Sequence, residues 1–308
     1  MMHKTVHLNS IRQMHQAAGL PNPAHQLVSV IYNRDIQRMD GLQGVKVINN
    51  LYLIVFKSTK SCSTFTYGIN SYDYEDGTLV FTAPGQVMEF ERTDPGTPRE
   101  VDPEGWSLAF HPNLFRKSDL AQKIDKYSFF HYHTNEALHL SDKERHTIEE
   151  LLEKITHEYS QRIDRHSQHL IVANIELFLD YCVRFYDRQF FSRTNLNVDL
   201  LSRFERLLTN YYQSEPGQQV GIPRVEDCAR NMNLSPKYLS DLLKRETGKT
   251  TQEHIHYFLI EKAKSSLLNT TMAISEIGYS LGFAYPQHFS NLFKRKTGYS
   301  PSEYRNLN

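Results

Sequence analysis

The sequence predicts an α+β protein, in which an antiparallel β-barrel or sandwich precedes a helical middle segment and an all-α C-terminal domain. Three observations support this fold class. Residues 25–135 are rich in Tyr, Phe, Val and Thr and are punctuated by Gly, Pro and Asp, whereas helical apolar spacing begins at Ser141. Residues 225–305 contain two copies of a pattern that predicts a pair of helices. The 308 residues are enough for two domains that each bury a core.

Two short apolar runs predict β-strands in the N-terminal region. They are "NLYLIVFKS" (50–58) and "GTLVFTAPG" (77–85), and both are bounded by turn residues. Further turns are predicted at "EDG" (75–77) and "TDPGTP" (93–98). Several such runs without long helical patterns between them are typical of a small antiparallel sandwich or barrel. We therefore expect a first domain over residues 20–138.

Two amphipathic helices are predicted in the middle segment, residues 139–192. The first opens with a capping box, Ser141 followed three residues later by Glu144, and carries apolar residues at three- and four-residue steps. The second covers roughly residues 168–190. Either both helices pack on the sheet domain, or one apolar stripe contacts a second copy of the chain and forms a homodimer. The sequence leaves both alternatives open.

The C-terminal region contains a repeat at an offset of fifty residues. "PKYLSDLLKRETG" (236–248) and "PQHFSNLFKRKTG" (286–298) are identical at seven of thirteen positions. Each copy ends in a glycine at the position of a helix C-cap, Gly248 or Gly298. A capping box follows each copy and opens the next helix, namely Thr250 with Glu253 and Ser300 with Glu303.

A second similarity precedes each copy, between "VEDCARNMNLS" (225–235) and "ISEIGYSLGFA" (274–284). Asn233 and Gly282 coincide, and both residue types tolerate the positive φ that a tight interhelical turn requires. Each copy is therefore a helix, a tight turn and a second helix that opens with proline. This is the helix-turn-helix pattern, whose second helix enters the major groove of DNA. A predicted helix over 252–268 joins the copies, so they could contact adjacent groove segments of duplex DNA.

The charge distribution agrees with an anionic partner for this region. Residues 223–308 contain twelve Lys and Arg against eight Asp and Glu, a net charge of +4. Because the whole chain balances 35 basic against 35 acidic residues, the remainder carries −4. Such an asymmetry between the two ends of a chain indicates a nucleic-acid or other anionic partner for the basic end.

The segment "IEKAKSSLLNTTMAISEIGYSLGFAYPQHFSNLFKRKTGYSPSEYR" (260–305) resembles the signature of the AraC/XylS family of bacterial transcription regulators. The resemblance covers roughly the last hundred residues and implies a tandem helix-turn-helix DNA-binding domain over residues 197–308. It also implies a regulator that is not an enzyme and needs no cofactor. The implied partners are promoter or operator DNA, a small-molecule effector in a cupin-like N-terminal sensory domain, RNA polymerase and a second copy. The sequence does not determine the effector or the operator sequence. It also leaves open whether the regulator activates or represses transcription.

The resemblance also implies which residues contact DNA. The early positions predicted to be exposed on the two second helices are Lys237, Tyr238, Ser240 and Asp241, and Gln287, His288, Ser290 and Asn291. The base-contact candidates are Lys237, Ser240, Asp241, Gln287, Ser290 and Asn291. Gln287 and Asn291 could each bind adenine through a paired donor and acceptor, and Lys237 could donate to guanine. Ser240 and Ser290 recur identically, which favours a phosphate contact for both. The phosphate candidates are Lys244, Arg245, Lys294, Arg295 and Lys296.

The N-terminal region offers weaker candidates for a ligand site. "GTLVFTAPGQVMEF" (77–90) resembles the second half of a cupin barrel, but Met88 occupies the position where a metal-binding His is expected. We therefore expect no metal, although a cupin-type metalloenzyme with a helical tail is the alternative function. The pair His131 and His133 would point to one face of an extended strand. The candidate effector contacts are Tyr67, Tyr72, Tyr74, His131 and His133.

Other function classes find little support in the sequence. Cys62, Cys182 and Cys228 form no CxxC pair, so neither a disulfide framework nor a zinc site is predicted. A DNA alkyl-damage protein, a third alternative, would need an activated thiol, and no cysteine pair fits that chemistry. The sequence has neither a membrane-spanning apolar run nor the apolar core of a signal peptide. We expect a soluble cytoplasmic protein with no membrane partner.

Overall fold

The computed structural model describes residues 5–36, 46–58, 77–89, 104–133, 136–162, 164–192, 194–213 and 221–306. Contacts within the chain divide it into two compact units, Met1–Phe191 and Ser192–Asn308. The first unit combines strands and helices, and the described residues of the second are helical or in turns. None of the described helices is long and apolar enough to cross a membrane.

The described strands of the first unit form two sheets. The strands are β1 (Thr5–Leu8), β2 (Val28–Tyr32), β3 (Lys46–Asn49), β4 (Tyr52–Lys57), β5 (Thr78–Thr82), β6 (Gln86–Glu89), β7 (Trp106–Phe110) and β8 (Leu138–His139). One sheet has the order β1-β3-β6 and the other the order β2-β7-β4-β5-β8. The strands predicted within 50–58 and 77–85 are confirmed as β4 and β5.

The predicted antiparallel, cupin-like barrel is corrected in two respects. The described strands form two separate sheets, and no hydrogen-bonded strand pair among them closes a barrel. In addition, β1 pairs with β3 in parallel. A parallel pair needs a long crossover connection, and here helix α1 (Ile11–Ala17) and strand β2 lie between the two strands in sequence. The fold class is α+β, as the composition predicts.

Aromatic side chains fill one face of the five-stranded sheet. Tyr52 lies opposite Phe110 in the strand register, and their ring centroids are 5.2 Å apart in a stacked arrangement. Phe56 lies opposite Trp106 and stacks on it at 5.4 Å. Such directly opposed aromatic pairs stabilise neighbouring strands. Phe130 packs edge-on against Tyr52 at 4.9 Å, so the aromatic composition of this region builds core.

The two middle helices pack on this sheet through their apolar stripes. Helix α2 (Leu120–Lys123) precedes them, and they are α3 (Asp142–Ser160) and α4 (Ser167–Ser192). The predicted capping box is confirmed, because the Ser141 backbone N–H donates to the Glu144 carboxylate at 2.9 Å. The Tyr159 hydroxyl of α3 accepts from the Val30 N–H of β2 at 3.1 Å. Arg188 of α4 pairs with Glu144 at 2.7 Å and thereby joins the two helices.

The second unit consists of seven described helices. They are α5 (Thr194–Gln213), α6 (Val225–Asn231), α7 (Pro236–Thr247), α8 (Thr251–Asn269), α9 (Ile274–Ser280), α10 (Pro286–Thr297) and α11 (Pro301–Arg305). Helices α6 and α7 form motif one, and α9 and α10 form motif two. Both predicted interhelical turns are confirmed, since φ is +58° at Asn233 and +88° at Gly282. Pro236 and Pro286 each open the second helix of their motif, as predicted.

Replacement of Gly298 by alanine should destabilise the domain through backbone strain alone. Gly298 ends α10 with φ of +85°, and an added Cβ would meet no described atom within 4 Å. A left-handed conformation costs a residue with a Cβ about 1 kcal/mol. The free energy of unfolding of the full-length chain, measured in urea, should fall by about that amount for Gly298→Ala. Gly298→Asn is the control and should lose less, because asparagine tolerates this conformation. Equal losses would contradict the assignment.

Candidate nucleic-acid interface

The second helix of each motif buries one face and exposes the other. Helices α7 and α10 are called the recognition helices below. The buried side chains include Leu239, Leu242 and Leu243 in α7 and Phe289, Leu292 and Phe293 in α10. Burial of this face packs each helix into the domain, and the base-contact candidates on the other face are exposed or half-buried.

Tyr238 corrects one prediction for this face. It was expected to be exposed, but its side chain is only 5% exposed. Position 238 lies one helical turn before Leu242, so it extends the buried stripe of α7. The equivalent His288 of motif two is exposed and lies 5.4 Å from the Tyr285 ring. The two recognition helices therefore present different side chains at the same position.

The base-contact candidates of motif one include an ion pair. Lys237 Nζ lies 3.4 Å from Asp241 Oδ1, one helical turn away, and the Lys237 side chain is about half exposed. The pair supplies a cation for an acidic residue that would otherwise repel DNA phosphates. Lys237 and Asp241 thus present a donor and an acceptor side by side. In the sequence, the four-residue spacing of Lys237 and Asp241 is compatible with an ion pair on a helix. Only the structure shows that the pair forms.

The base-contact candidates of motif two are amides on the exposed face. Gln287 lies in the first turn of α10 and Asn291 one turn later, and both side chains are exposed. Four residues apart, they lie on the same side of the helix. Ser240 and Ser290 are half-buried at equivalent positions of the two motifs. Their partial burial leaves a hydroxyl at the edge of each recognition face.

The five predicted phosphate contacts are exposed and lie at the C-terminal ends of the recognition helices. They are Lys244, Arg245, Lys294, Arg295 and Lys296. Hydrogen bonds from Thr250 lower the pKa of Glu253, and Lys296 and Lys244 lower it further. The Glu253 carboxylate at the start of α8 therefore interacts electrostatically with one lysine of each recognition helix. The two basic ends belong to one region of the surface.

An exposed aromatic residue next to this face was not among the predicted contacts. Tyr285 immediately precedes α10 and is 65% exposed. In the sequence it stands between Ala284 and Pro286, and an aromatic residue in such a turn is equally consistent with core. Only the exposure of the Tyr285 side chain in the structure shows that it is a surface residue and not a core residue.

The N-terminal candidates are placed differently from the predicted strand. Tyr67, Tyr72 and Tyr74 lie outside the described residues. His131 and His133 are exposed, but residues Ser128–His131 form a 3₁₀ turn instead of an extended strand. The Glu136 carboxylate accepts the His133 backbone N–H at 2.7 Å. Within the described ranges, no three His, Cys, Asp or Glu residues are grouped to hold a metal ion.

The two described cysteines are buried thiols. Burial raises the pKa of Cys182 well above its ordinary value. Burial, aided by the neighbouring Asp227 carboxylate, raises the pKa of Cys228 to about 11. A thiol with a raised pKa carries little thiolate at neutral pH, so neither cysteine has the activation that alkyl transfer needs.

Residues 228–307 match the family model described as a helix-turn-helix domain. The C-terminal part of the chain is a helix-turn-helix domain of the AraC/XylS type. The match begins within α6 and ends after α11, so it includes most of motif one, all of motif two and the helix α8 between them.

Curated relatives of this helix-turn-helix domain are named as transcription regulators. The chain is 34% identical over 99 residues to the xylose operon regulatory protein of Escherichia coli strain K12, which covers 32% of this chain and 24% of that protein. It is 38% identical over 80 residues to the transcriptional activator RhaS of Escherichia fergusonii, which covers 26% of this chain and 29% of that protein. The chain thus spans less than a third of the length of each of these two relatives.

One relative extends beyond the helix-turn-helix domain. The chain is 23% identical over 237 residues to the uncharacterized HTH-type transcriptional regulator YijO of Escherichia coli strain K12. That similarity covers 75% of this chain and 78% of that protein. It therefore includes part of the first unit as well as the second.

Cys182 and Cys228 should resist alkylation in the folded protein. At pH 8 their raised pKa values leave almost all of each thiol protonated, and burial excludes the reagent. We expect peptide mass spectrometry after iodoacetamide treatment to find both unmodified in buffer and both modified in urea. Glutathione in the same tube is the control for reagent activity. Rapid modification of Cys228 in buffer would contradict its assignment as an inert core thiol.

Proposed function

We propose that the chain is a sequence-specific transcription regulator that binds adjacent major-groove segments of promoter DNA through its two recognition helices. The proposal rests mainly on the local structure that α7 and α10 share. Each follows a positive-φ turn, begins with proline, ends at a left-handed glycine and exposes polar side chains. The names of the relatives support the same function, and nothing supports the alternative cupin-type metalloenzyme.

We assign different roles to the two ends of each recognition helix. The early polar residues Lys237, Ser240, Asp241, Gln287, Ser290 and Asn291 face the bases, with the two serines closest to the phosphates. The basic residues Lys244, Arg245, Lys294, Arg295 and Lys296 contact phosphates and displace condensed counterions. Lys244 and Lys296 both lower the pKa of Glu253, which places a cation of each recognition helix near the start of α8.

This division of roles predicts different effects for two substitutions in α10. Gln287→Ala should change which bases are preferred, because it removes a paired donor and acceptor, and should cost about 1–3 kcal/mol on the preferred site only. Lys294→Ala should weaken all sequences alike and reduce the slope of log affinity against log salt by about one. Selection from random duplex DNA, followed by titration at several salt concentrations, measures both effects.

Two controls make this comparison decisive. Lys143→Ala removes an exposed cation from α3, far in sequence from the motifs, and should leave both affinity and salt slope unchanged. A flat plot of log affinity against log salt for the unmodified chain would contradict the phosphate contacts. Equal loss on every sequence for both α10 variants would contradict the separation of base and phosphate contacts.

We further propose that residues 20–138 form a sensory domain for a small-molecule effector, beside a helical region (139–192) and the DNA-binding domain (197–308). Tyr67, Tyr72, Tyr74, His131 and His133 are the candidate contacts to the effector. One relative is named as the xylose operon regulatory protein, and its name supports control by a small molecule. A cytoplasmic location and a contact with RNA polymerase at the promoter complete the proposal.

A second copy of the chain is the partner we propose for α4. Its outward face carries Leu170, Ala173 and Leu177 at three- and four-residue steps, and the two leucines are 41% and 46% exposed. This spacing is the heptad seam of a helix pair. The buried stripe of α4 already packs on its own unit, so the exposed seam is available to the same seam of another copy.

Leu177→Lys should dissociate this dimer, because a lysine in the seam would place a charge in an apolar contact. We expect at least a tenfold weaker association, or about 1.4 kcal/mol, by sedimentation equilibrium. Val183→Lys is the matched control, since Val183 is 36% exposed on another side of α4 and should have no effect. A wild-type chain that sediments as a monomer at micromolar concentration would contradict the proposal.

A further inference from the structure

Helix α5 contacts both helix-turn-helix motifs. The Tyr212 hydroxyl donates to the carbonyl oxygen of Leu281 at 3.3 Å, and Leu281 ends the first helix of motif two. The Tyr212 ring also stacks on Phe258 of α8, with centroids 5.8 Å apart. At its other side α5 packs against α7 of motif one. One helix outside the motifs thus touches motif one, motif two and the helix that joins them.

The loop after α5 makes a second contact with motif two. A Cβ on Gly282 would lie 2.5 Å from the carbonyl carbon and oxygen of Gly221 and 2.9 Å from the nitrogen of Ile222. These are backbone atoms, which cannot yield as a flexible side chain can. The Tyr211 hydroxyl holds the same loop by donating to the Gly221 carbonyl oxygen at 2.8 Å. The turn of motif two is therefore packed directly on the α5–α6 loop.

The equivalent turn of motif one accommodates a side chain at the same position. Asn233 takes the same left-handed conformation as Gly282, but its side chain is exposed. Both turns need a residue that tolerates positive φ, and only the turn of motif two also excludes a Cβ. This difference explains why the repeat has asparagine in one copy and glycine in the other. Glycine at 282 serves the contact with Gly221 and Ile222 as well as the turn itself.

We propose that this contact surface, formed by Tyr212, Gly221 and Ile222 against Leu281 and Gly282, sets the number of base pairs between the two bound DNA elements. The inference rests on the proposed function. Helix α8 alone would attach motif two at one side and would leave it able to tilt. A second attachment at Leu281 and Gly282 restricts that tilt and so fixes how α10 lies relative to α7.

The geometry of DNA makes such a restriction selective. One extra base pair between two elements rotates one around the duplex axis by about 35° and shifts it by about 3.4 Å. A domain with two fixed recognition helices can follow only one spacing without deforming itself or the DNA. A domain whose motifs tilt freely can follow several. Spacing preference is therefore the property that the contact surface should control.

The test uses the full-length chain and DNA sites selected with the wild type from random duplexes. The spacing between the two elements of the selected site is then changed by one, two and three base pairs in each direction. We expect the wild type to prefer one spacing by about tenfold or more, comparable to one mismatched base pair. Gly282→Asn should reduce this preference to less than about threefold or move it to another spacing.

Asn233→Gly is the matched control for this substitution. The two variants make reciprocal exchanges of the same two residue types at equivalent positive-φ turns, so strain within the turn changes by a similar amount in opposite directions. Only Gly282→Asn adds a Cβ against Gly221 and Ile222. Asn233→Gly should therefore keep the wild-type spacing preference. Circular dichroism of both variants verifies that they fold.

Tyr212→Leu tests the surface independently and covers the case in which Gly282→Asn does not fold. It removes the hydroxyl bound to Leu281 and the ring stacked on Phe258, and it should broaden the spacing preference. Tyr257→Leu is its control, because Tyr257 is an exposed tyrosine of α8. Folded variants that keep the wild-type spacing, or that lose affinity equally at every spacing, would overturn the inference alone. A wild type that selects no DNA would overturn the proposed function with it.

Discussion

The left-handed backbone at the two interhelical turns is the constraint on which the C-terminal domain depends. A positive φ at Asn233 and Gly282 ends the first helix of each motif and lets the second helix cross it. That crossing buries Leu239 in one motif and Phe289 in the other. The base-contact candidates lie opposite this buried face, so the surface proposed to bind DNA depends on the backbone conformation of two turn residues.

The two motifs share this frame but differ in the chemistry that they present. Motif one offers a lysine and an aspartate already paired with each other, whereas motif two offers two amides and an exposed tyrosine. The pair brings a carboxylate toward the DNA phosphates along with its lysine, whereas the two amides carry no charge that the phosphates would repel. Motif two is therefore the better candidate for direct base contacts. The shared basic ends of α7 and α10 would contribute affinity to both.

The first unit shows how one composition can serve two purposes. The tyrosines of the stretch 66–77 are predicted to line an effector pocket, whereas the aromatic residues of the described strands pack on one another as core. A stacked pair such as Phe56 and Trp106 needs the same residue types that bind a flat ligand. Tyr67, Tyr72 and Tyr74 lie outside the described residues, so the pocket is still a prediction.

The sequence by itself determined the features that depend on neighbours along the chain. Capping boxes at Ser141 and Ser300, the prolines that open α7 and α10 and the positive-φ turns all act within a few residues, and local patterns therefore predicted them. Tertiary structure alone decided the burial of Tyr238, the parallel pairing of β1 with β3 and the contact of Gly282 with Gly221. The last two join segments distant in sequence, and the burial of Tyr238 depends on what packs around it. Such close packing depends on residues that are distant in sequence and meet only in the folded protein, so a local sequence pattern does not predict it.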